Sequence, residues 1–376
     1  MEDLLIRNAR VVRAPGELPS EPTDVTIRAG RICDDPPSGA PVLDARGGFL
    51  TAGFWNCHVH LTEPVWAGAA RADAAKLQDG LDDMFGARGF TTVIDLASNS
   101  RDTFPLRRRI DEGDLRGPRI LTATEAIRPW RGLPFYTKES VPWFLWWALP
   151  TPATSRGAAR VARRQLSKGA DVIKLFTGSY VARDRIRAMR PGPARAAVRA
   201  AHERDAPTFA HTSNRAGLLV ALDAGIDVIA HVPDETDGTE GLLRDAAARG
   251  VWLIPTLDMF AQTVTRDRSY LAPIHDALRG FAAAGGRLLF GTDVGYLPDH
   301  DIRGELSALA ECGLGIDDVL TMLTTNPSEA MGSGSGTVVC GEPADLVLLE
   351  RLDTVADLAS VRATIRAGTI TWQARG

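Results

Sequence analysis

Three features of this sequence predict a (β/α)8 barrel carrying a small composite β-sandwich. Between residues 51 and 335, short β-like runs alternate with amphipathic helical stretches, the rhythm of a parallel sheet with crossover helices. Glycines recur where a helix must stop before the next run, at Gly89, Gly169, Gly225, Gly250 and Gly285. The two ends, residues 1–50 and 336–376, have a different texture. They are short β-rich segments broken by Pro and Gly, and neither can bury a core alone, so they are expected to pair with each other.

The candidate strands follow in order. The first ends in Trp55-Asn56-Cys57-His58-Val59-His60, the second is Thr91–Leu96 and the third Arg119–Thr122. Then come Asp171–Phe176, Thr208–His211, Asp227–His231, Val251–Pro255 and Arg287–Asp293. These make eight, the number that closes a barrel. Between the first two, Leu77, Leu81, Met84 and Phe85 repeat at helical spacing before the Gly89 stop. Ser155 is the expected N-cap of the Ala- and Arg-rich helix that runs to Lys168-Gly169.

Composition narrows the function. Apolar residues make up 44% of the 376 and charged residues 24%, an ordinary globular balance. A net charge of -4 gives no electrostatic reason to expect nucleic acid or an anionic membrane as partner. The N-terminus lacks a basic start with an apolar core, and no apolar run approaches the ~20 residues of a membrane span. Cys33, Cys57, Cys312 and Cys340 form no CxxC pair, so a reducing cytoplasm is the expected compartment. Cys57 reads as a small buried apolar residue pointing away from His58. The sequence leaves a homo-oligomer open without specifying one.

Chemistry concentrates at the strand ends. His58 and His60 stand two apart on the first strand and project to one face. Lys174 ends the fourth strand, His211 the fifth, His231 the sixth and Asp293 the eighth. In a barrel these ends converge on one bowl. That five metal-ligand-type residues share this placement, in a chain with seven histidines, points to a metal centre rather than to core histidines. Lys174, within Val-Ile-Lys-Leu-Phe, needs a partner to stay inside. It could be ion-paired to a carboxylate, or form a Schiff base, which leaves the histidines and Asp293 without work. The favoured reading is carboxylation by carbon dioxide, which turns the amine into a carboxylate able to bridge two ions.

These residues carry a resemblance. The sequence resembles the amidohydrolase superfamily, and more narrowly its imidazolonepropionase-type and metal-dependent prolidase-like branch with a binuclear centre. The match runs from Leu5-Ile6-Arg7-Asn8-Ala9 through Ala52–Leu61, Gly89–Val93, Val172-Ile173-Lys174, His211-Thr212, Ala230-His231 and Gly291-Thr292-Asp293. It ends in Thr325–Ala330 and Gly341–Val347. The resemblance implies that His58, His60 and Asp293 hold a more buried metal ion, and His211 and His231 a more exposed one. Carboxylated Lys174 would bridge the pair. Ala52 and Asn56 depart from the usual proline and aspartate, and neither removes a ligand.

Two divalent ions flanking one water bring its pKa towards neutrality, and Asp293 is the expected proton carrier. The expected reaction is hydrolysis of an amide, cyclic amide, carbamate or related C–N bond in a small molecule or dipeptide. Zinc is the expected ion, although imidazole and carboxylate ligands also suit manganese, iron and cobalt. Rival readings are deamination, a metal-assisted lyase or isomerase step, and a catalytically silent binding scaffold. For the substrate, residues 126–154 read as a long aromatic loop over the barrel mouth, with Trp146 and Trp147 as candidate contacts or, equally, as a packing or dimer element. Tyr180 and His300 are further candidates for the pocket, whereas His202 and His275 fall in predicted helices and read as surface or packing residues.

Overall fold

The computed structural model describes residues 3–35, 39–263 and 268–375. The two ends of the chain share one eight-stranded sheet. Leu4–Val11 pairs antiparallel with Thr23–Arg28 and parallel with Val42–Asp44 and Phe49–Ala52. Phe49–Ala52 in turn pairs antiparallel with Leu346–Leu349, beyond which lie Val361–Arg366 and Thr369–Gln373. Alternation along these strands buries Ile6, Ile27, Leu50, Leu348 and Ile365 in one cluster drawn from both termini. Two hairpins use the same turn. Ala29-Gly30 and Ala367-Gly368 both have positive φ at both residues, the two-residue geometry that matches strand twist.

The middle of the chain holds two parallel sheets. One contains Phe54–Val59, Phe90–Asp95 and Arg119–Thr122, the other Ile173–Phe176, Thr208–His211, Val228–Ile229 and Trp252–Leu253. The eighth expected strand does not form as a strand: Arg287–Asp293 makes only an isolated bridge, Leu288 to Leu253. Two local causes are visible. A Cβ on Gly291 would lie 2.5 Å from the Ile254 side chain, and Asp293 has φ 60°, which ends extended backbone. The segment nevertheless spans the gap between the sheets. Leu289 N donates to Leu253 O at 2.9 Å on one side, and Cys57 N to Phe290 O at 2.8 Å on the other. At the opposite junction, Ile127 bridges Leu175 and Asp171 N donates to Thr122 O at 2.8 Å.

The helices follow their sequence signals closely. Ala74–Met84 is capped by Asp73, whose side chain accepts from Lys76 N, and it buries Leu77, Leu81 and Met84. Gly89 follows at φ 80°, a conformation a side chain disfavours. The helix Ser155–Ser167 is capped by Thr154, which accepts from Gly157 N at 3.1 Å. The expected cap, Ser155, is instead its first helical residue. Cys57 is fully buried in an apolar cluster with Trp55, Ile94, Phe209 and Leu289, as expected of a small core residue, and burial pushes its thiol up. Among the described residues, no helix is long and apolar enough to cross a membrane.

Candidate metal centre

The strand ends meet at one point. Asp293 Oδ1 lies 2.8 Å from His60 Nε2 and 3.2 Å from His58 Nε2, and Lys174 Nζ lies 3.5 Å from His58 Nε2. The His231 ring centroid is 4.4 Å from that of His58 and 4.8 Å from that of His211. His58, Lys174, His231 and Asp293 are buried, while His60 and His211 are partly open to the cavity above. Non-glycine residues with φ of 50–60° stand just past four of the central segments: Thr124, Ser213, Thr256 and Asp293. This left-handed backbone turns each chain sharply over the rim, a form of strain that concentrates at functional sites.

The donor set fits a divalent metal. Ligand atoms of His58, His231 and Asp293 all lie within 4.8 Å of one another. His58 Nδ1, His211 Nε2 and Asp293 Oδ1 are buried without an aligned hydrogen bond, although a native interior satisfies nearly all such atoms. Burial, and next the neighbouring Lys174 charge, hold His58 and His211 well below the usual histidine range. For His231 the causes are burial, then His211 and Lys174. Neutral imidazole is the form that ligates a metal. Burial also pushes the Lys174 amine down to about 7, against the opposing pull of Asp293. Among the described residues no ion pair joins a carboxylate to Lys174, although the Asp293 charge acts on it.

Outer partners fix the ligands. Asn56 Nδ2 donates to Thr292 Oγ1 at 2.8 Å, while its Oδ1 accepts from His58 N and Thr292 N, each at 3.2 Å. An amide thus fastens the first strand to the segment bearing Asp293, using a donor that an aspartate lacks. Gly295 lets that segment pass close to the first strand, since a Cβ there would sit 1.7 Å from His60 O. Thr256 Oγ1 donates to Pro255 O at 2.8 Å, so its 2.6 Å contact with His231 must be accepted from Nδ1–H. That fixes the tautomer and leaves His231 Nε2 free as a ligand. The turn bearing Thr256 is held by Glu305, 1% exposed, which accepts from Asp258 N at 2.8 Å and is pushed up to about 8 by burial. Thr256→Val, which keeps the shape and removes the acceptor, is expected to weaken metal retention against a chelator ~10–100-fold, whereas Thr256→Ser retains it.

A cavity of 1630 Å³ opens over the cluster. Tyr180 lines it and donates to Asp234 Oδ2 at 2.5 Å, and the exposed Trp147 stands in its wall. Two of the expected contacts lie elsewhere. Trp146 is outside the lining, its indole N donating to Val141 O at 2.8 Å. His300 is also outside, gripped at 2.8 Å by both Glu63 and Asp83. The aromatic stretch is no open loop: it forms the short helices Phe135–Ser140 and Trp143–Ala148. His202 ends the helix Pro191–His202 and bonds Asp227 on the surface, while His275 lies in Leu271–Ala283. The lining also holds Tyr136 of the aromatic segment, and Arg128, Asp234 and Tyr296, which the sequence reading missed. For Asp234 a signal existed: it stands three residues past His231, just beyond a strand end.

His300 makes a testable prediction about stability. Burial works to lower its pKa, but the hydrogen bonds to Glu63 and Asp83 win and raise it above the ordinary 6.5. A group with a raised folded pKa contributes fully below its ordinary value and loses that contribution as pH rises through the folded value. His300→Gln is therefore expected to lower Tm more at about pH 5.5 than at about pH 8.5. Equal losses at both pH values would contradict a charged His300 clamp.

The comparisons with known proteins agree with this geometry. Residues 49–371 match the model of the amidohydrolase family. The chain belongs to that family, and it is accordingly a hydrolase acting on C–N bonds. Among solved structures it is similar to a Xaa-Pro dipeptidase with bound methionine (20% identity, 98% of this chain and 99% of that one, TM-score 0.82). It is also similar to a putative prolidase from Bifidobacterium longum (23% identity, 100% and 96%, TM-score 0.79). The A. niger ochratoxinase is a further likeness (18% identity, 100% and 96%, TM-score 0.78). No curated protein sequence matches significantly.

Proposed function

We propose that the chain is a binuclear metal-dependent amidohydrolase of the prolidase-like branch, cleaving an amide bond in a small molecule or dipeptide. In this reading residues 51–335 form a (β/α)8 barrel, with the segment 287–293 as its eighth stave. Residues 1–50 and 336–376 form a composite β-sandwich, with the joining strand Phe49–Ala52 moving the boundary a few residues inward. The observation that carries the functional reading is the convergence of His58, His60, Lys174, His211, His231 and Asp293, with His211 Nε2 and Asp293 Oδ1 buried and lacking an aligned hydrogen bond. His58, His60 and Asp293 would hold one ion, His211 and His231 the other, with carboxylated Lys174 between them; zinc suits this donor set. When bound, such ions acidify a water and polarise the scissile carbonyl.

The remaining steps belong to the chain itself. Lys174, which makes no ion pair among the described residues, would offer its amine to carbon dioxide, forming a C–N bond and losing a proton. The Asp293 carboxylate accepts the proton of the attacking water and returns it to the leaving nitrogen. The partly open His60 and His211 face the cavity through which substrate arrives.

The test is product analysis in water enriched in oxygen-18, across dipeptides, N-acyl amino acids and lactams. One labelled oxygen in a new carboxylate, with release of an amine, is the expected result. Ammonia released from a ring or exocyclic amine would indicate deamination instead. An unlabelled product would indicate a lyase or isomerase step.

A further inference from the structure

Among the described residues, Arg128 makes no ion pair. It is 6% exposed and lines the substrate cavity. Its Nη1 donates to Ala126 O at 2.9 Å, and its Nε is buried with no partner. Its guanidinium lies 5.4 Å from the centroid of the Phe176 ring, and that ring stacks on His211 at 4.6 Å. Among the described residues, no carboxylate reaches it. The three carboxylates that line the same cavity are engaged elsewhere. Glu125 accepts from Ser100 N and Oγ at 3.2 and 2.9 Å, Asp234 accepts from Tyr180, and Asp293 sits among the histidines. Arginine is rarely buried unless paired, so this arrangement calls for an anion that arrives from outside.

The guanidinium edge formed by Nε and Nη2 has no hydrogen bond among the described residues, and it is the fork that matches the two oxygens of a carboxylate. We propose that Arg128 is the carboxylate-binding residue of the substrate cavity, so that the enzyme acts on N-acyl amino acids or dipeptides whose α-carboxylate is free. This rests on the reading of the site as a C–N hydrolase and names its substrate class. The stacked path from Arg128 through Phe176 to His211 puts the anchored carboxylate on the His211 side of the metal centre. Tyr136 and Trp147, in the same wall, give the adjoining side chain an apolar surface.

The experiment measures binding by calorimetry for matched pairs: N-acetyl-L-leucine, N-acetyl-L-phenylalanine and N-acetyl-L-proline, each against its carboxamide. Wild type is expected to prefer at least one acid over its amide, and Arg128→Gln to weaken that acid by ~30-fold or more while changing the amide less than ~3-fold. Arg128→Lys keeps the charge without the fork, and is expected to fall between the two, which guards against misfolding of the glutamine variant. Metal content and Tm are measured alongside. Wild type that binds no acid better than its amide overturns the proposal. So does equal weakening of acid and amide with loss of metal, which would make Arg128 a partner of modified Lys174. Acids that bind through Arg128 without any C–N cleavage would leave this inference standing and overturn the hydrolase reading instead.

Discussion

Asp293→Ala is expected to lower kcat by ~10³-fold or more on any substrate that wild type cleaves, because one carboxylate serves two tasks. Its Oδ1 stands within 3.2 Å of both His58 and His60, so removal deletes a ligand atom from the most buried part of the cluster. It also deletes the carboxylate that the segment Arg287–Asp293 brings into this cluster. Asp293→Asn separates the two tasks. It keeps size and one oxygen, so the fold and part of the metal should persist, while kcat still falls ~10²-fold or more because an amide cannot carry the proton. Steady-state kinetics with elemental analysis of each variant provide the check. Turnover of either variant within tenfold of wild type would contradict the assigned role.

Lys174→Met is expected to move stability and function in opposite directions. In the apo-protein Lys174 is 2% exposed, and among the described residues its amine has only the imidazole of His58 within hydrogen-bonding reach. Exchanging a poorly compensated buried amine for an apolar side chain of similar length is expected to stabilise the metal-free protein. The metal-free variant should therefore unfold at higher denaturant concentration than metal-free wild type, with an unchanged m-value. The same exchange removes the bridging group, so the variant is expected to retain about one metal per chain and to lose ~100-fold or more in kcat. A residue kept against its cost in stability is the pattern of a functional site. A less stable apo-variant with full activity would show Lys174 to be a packing residue.

Much of the centre could be read from the sequence because strand geometry carries it. His58-x-His60, His211, His231 and Asp293 stand at or just past the end of a β-like run and Lys174 within one, and parallel strands bring such positions together whatever lies between them. The partners that orient these ligands were not legible. Thr256 and Glu305 meet only through the fold, and neither sits in a local pattern that distinguishes it from an ordinary cap or core-facing helix residue. Arg128 was hidden in Arg-Pro-Trp-Arg-Gly, which has the composition of a turn; its burial follows from packing against Phe176 of another segment.

The eighth segment was misread for a different reason. Arg287–Phe290 has strand composition, but Gly291 and the left-handed Asp293 are required by close approach to Ile254 and by the aim of the carboxylate. Function there overrides regular backbone. Conversely, the turn shared by Ile27-Arg28-Ala29-Gly30 and Ile365-Arg366-Ala367-Gly368 was available in the sequence as a repeated tetrapeptide. It marks two hairpins of the terminal sheet by local chemistry alone.

Elemental analysis of protein purified without chelator, expressed as metal ions per chain, tests most directly whether this cluster is a binuclear centre. About two divalent ions per chain are expected, falling to about one in Lys174→Met. Protein that holds no metal, even after incubation with zinc or manganese, would contradict a binuclear centre.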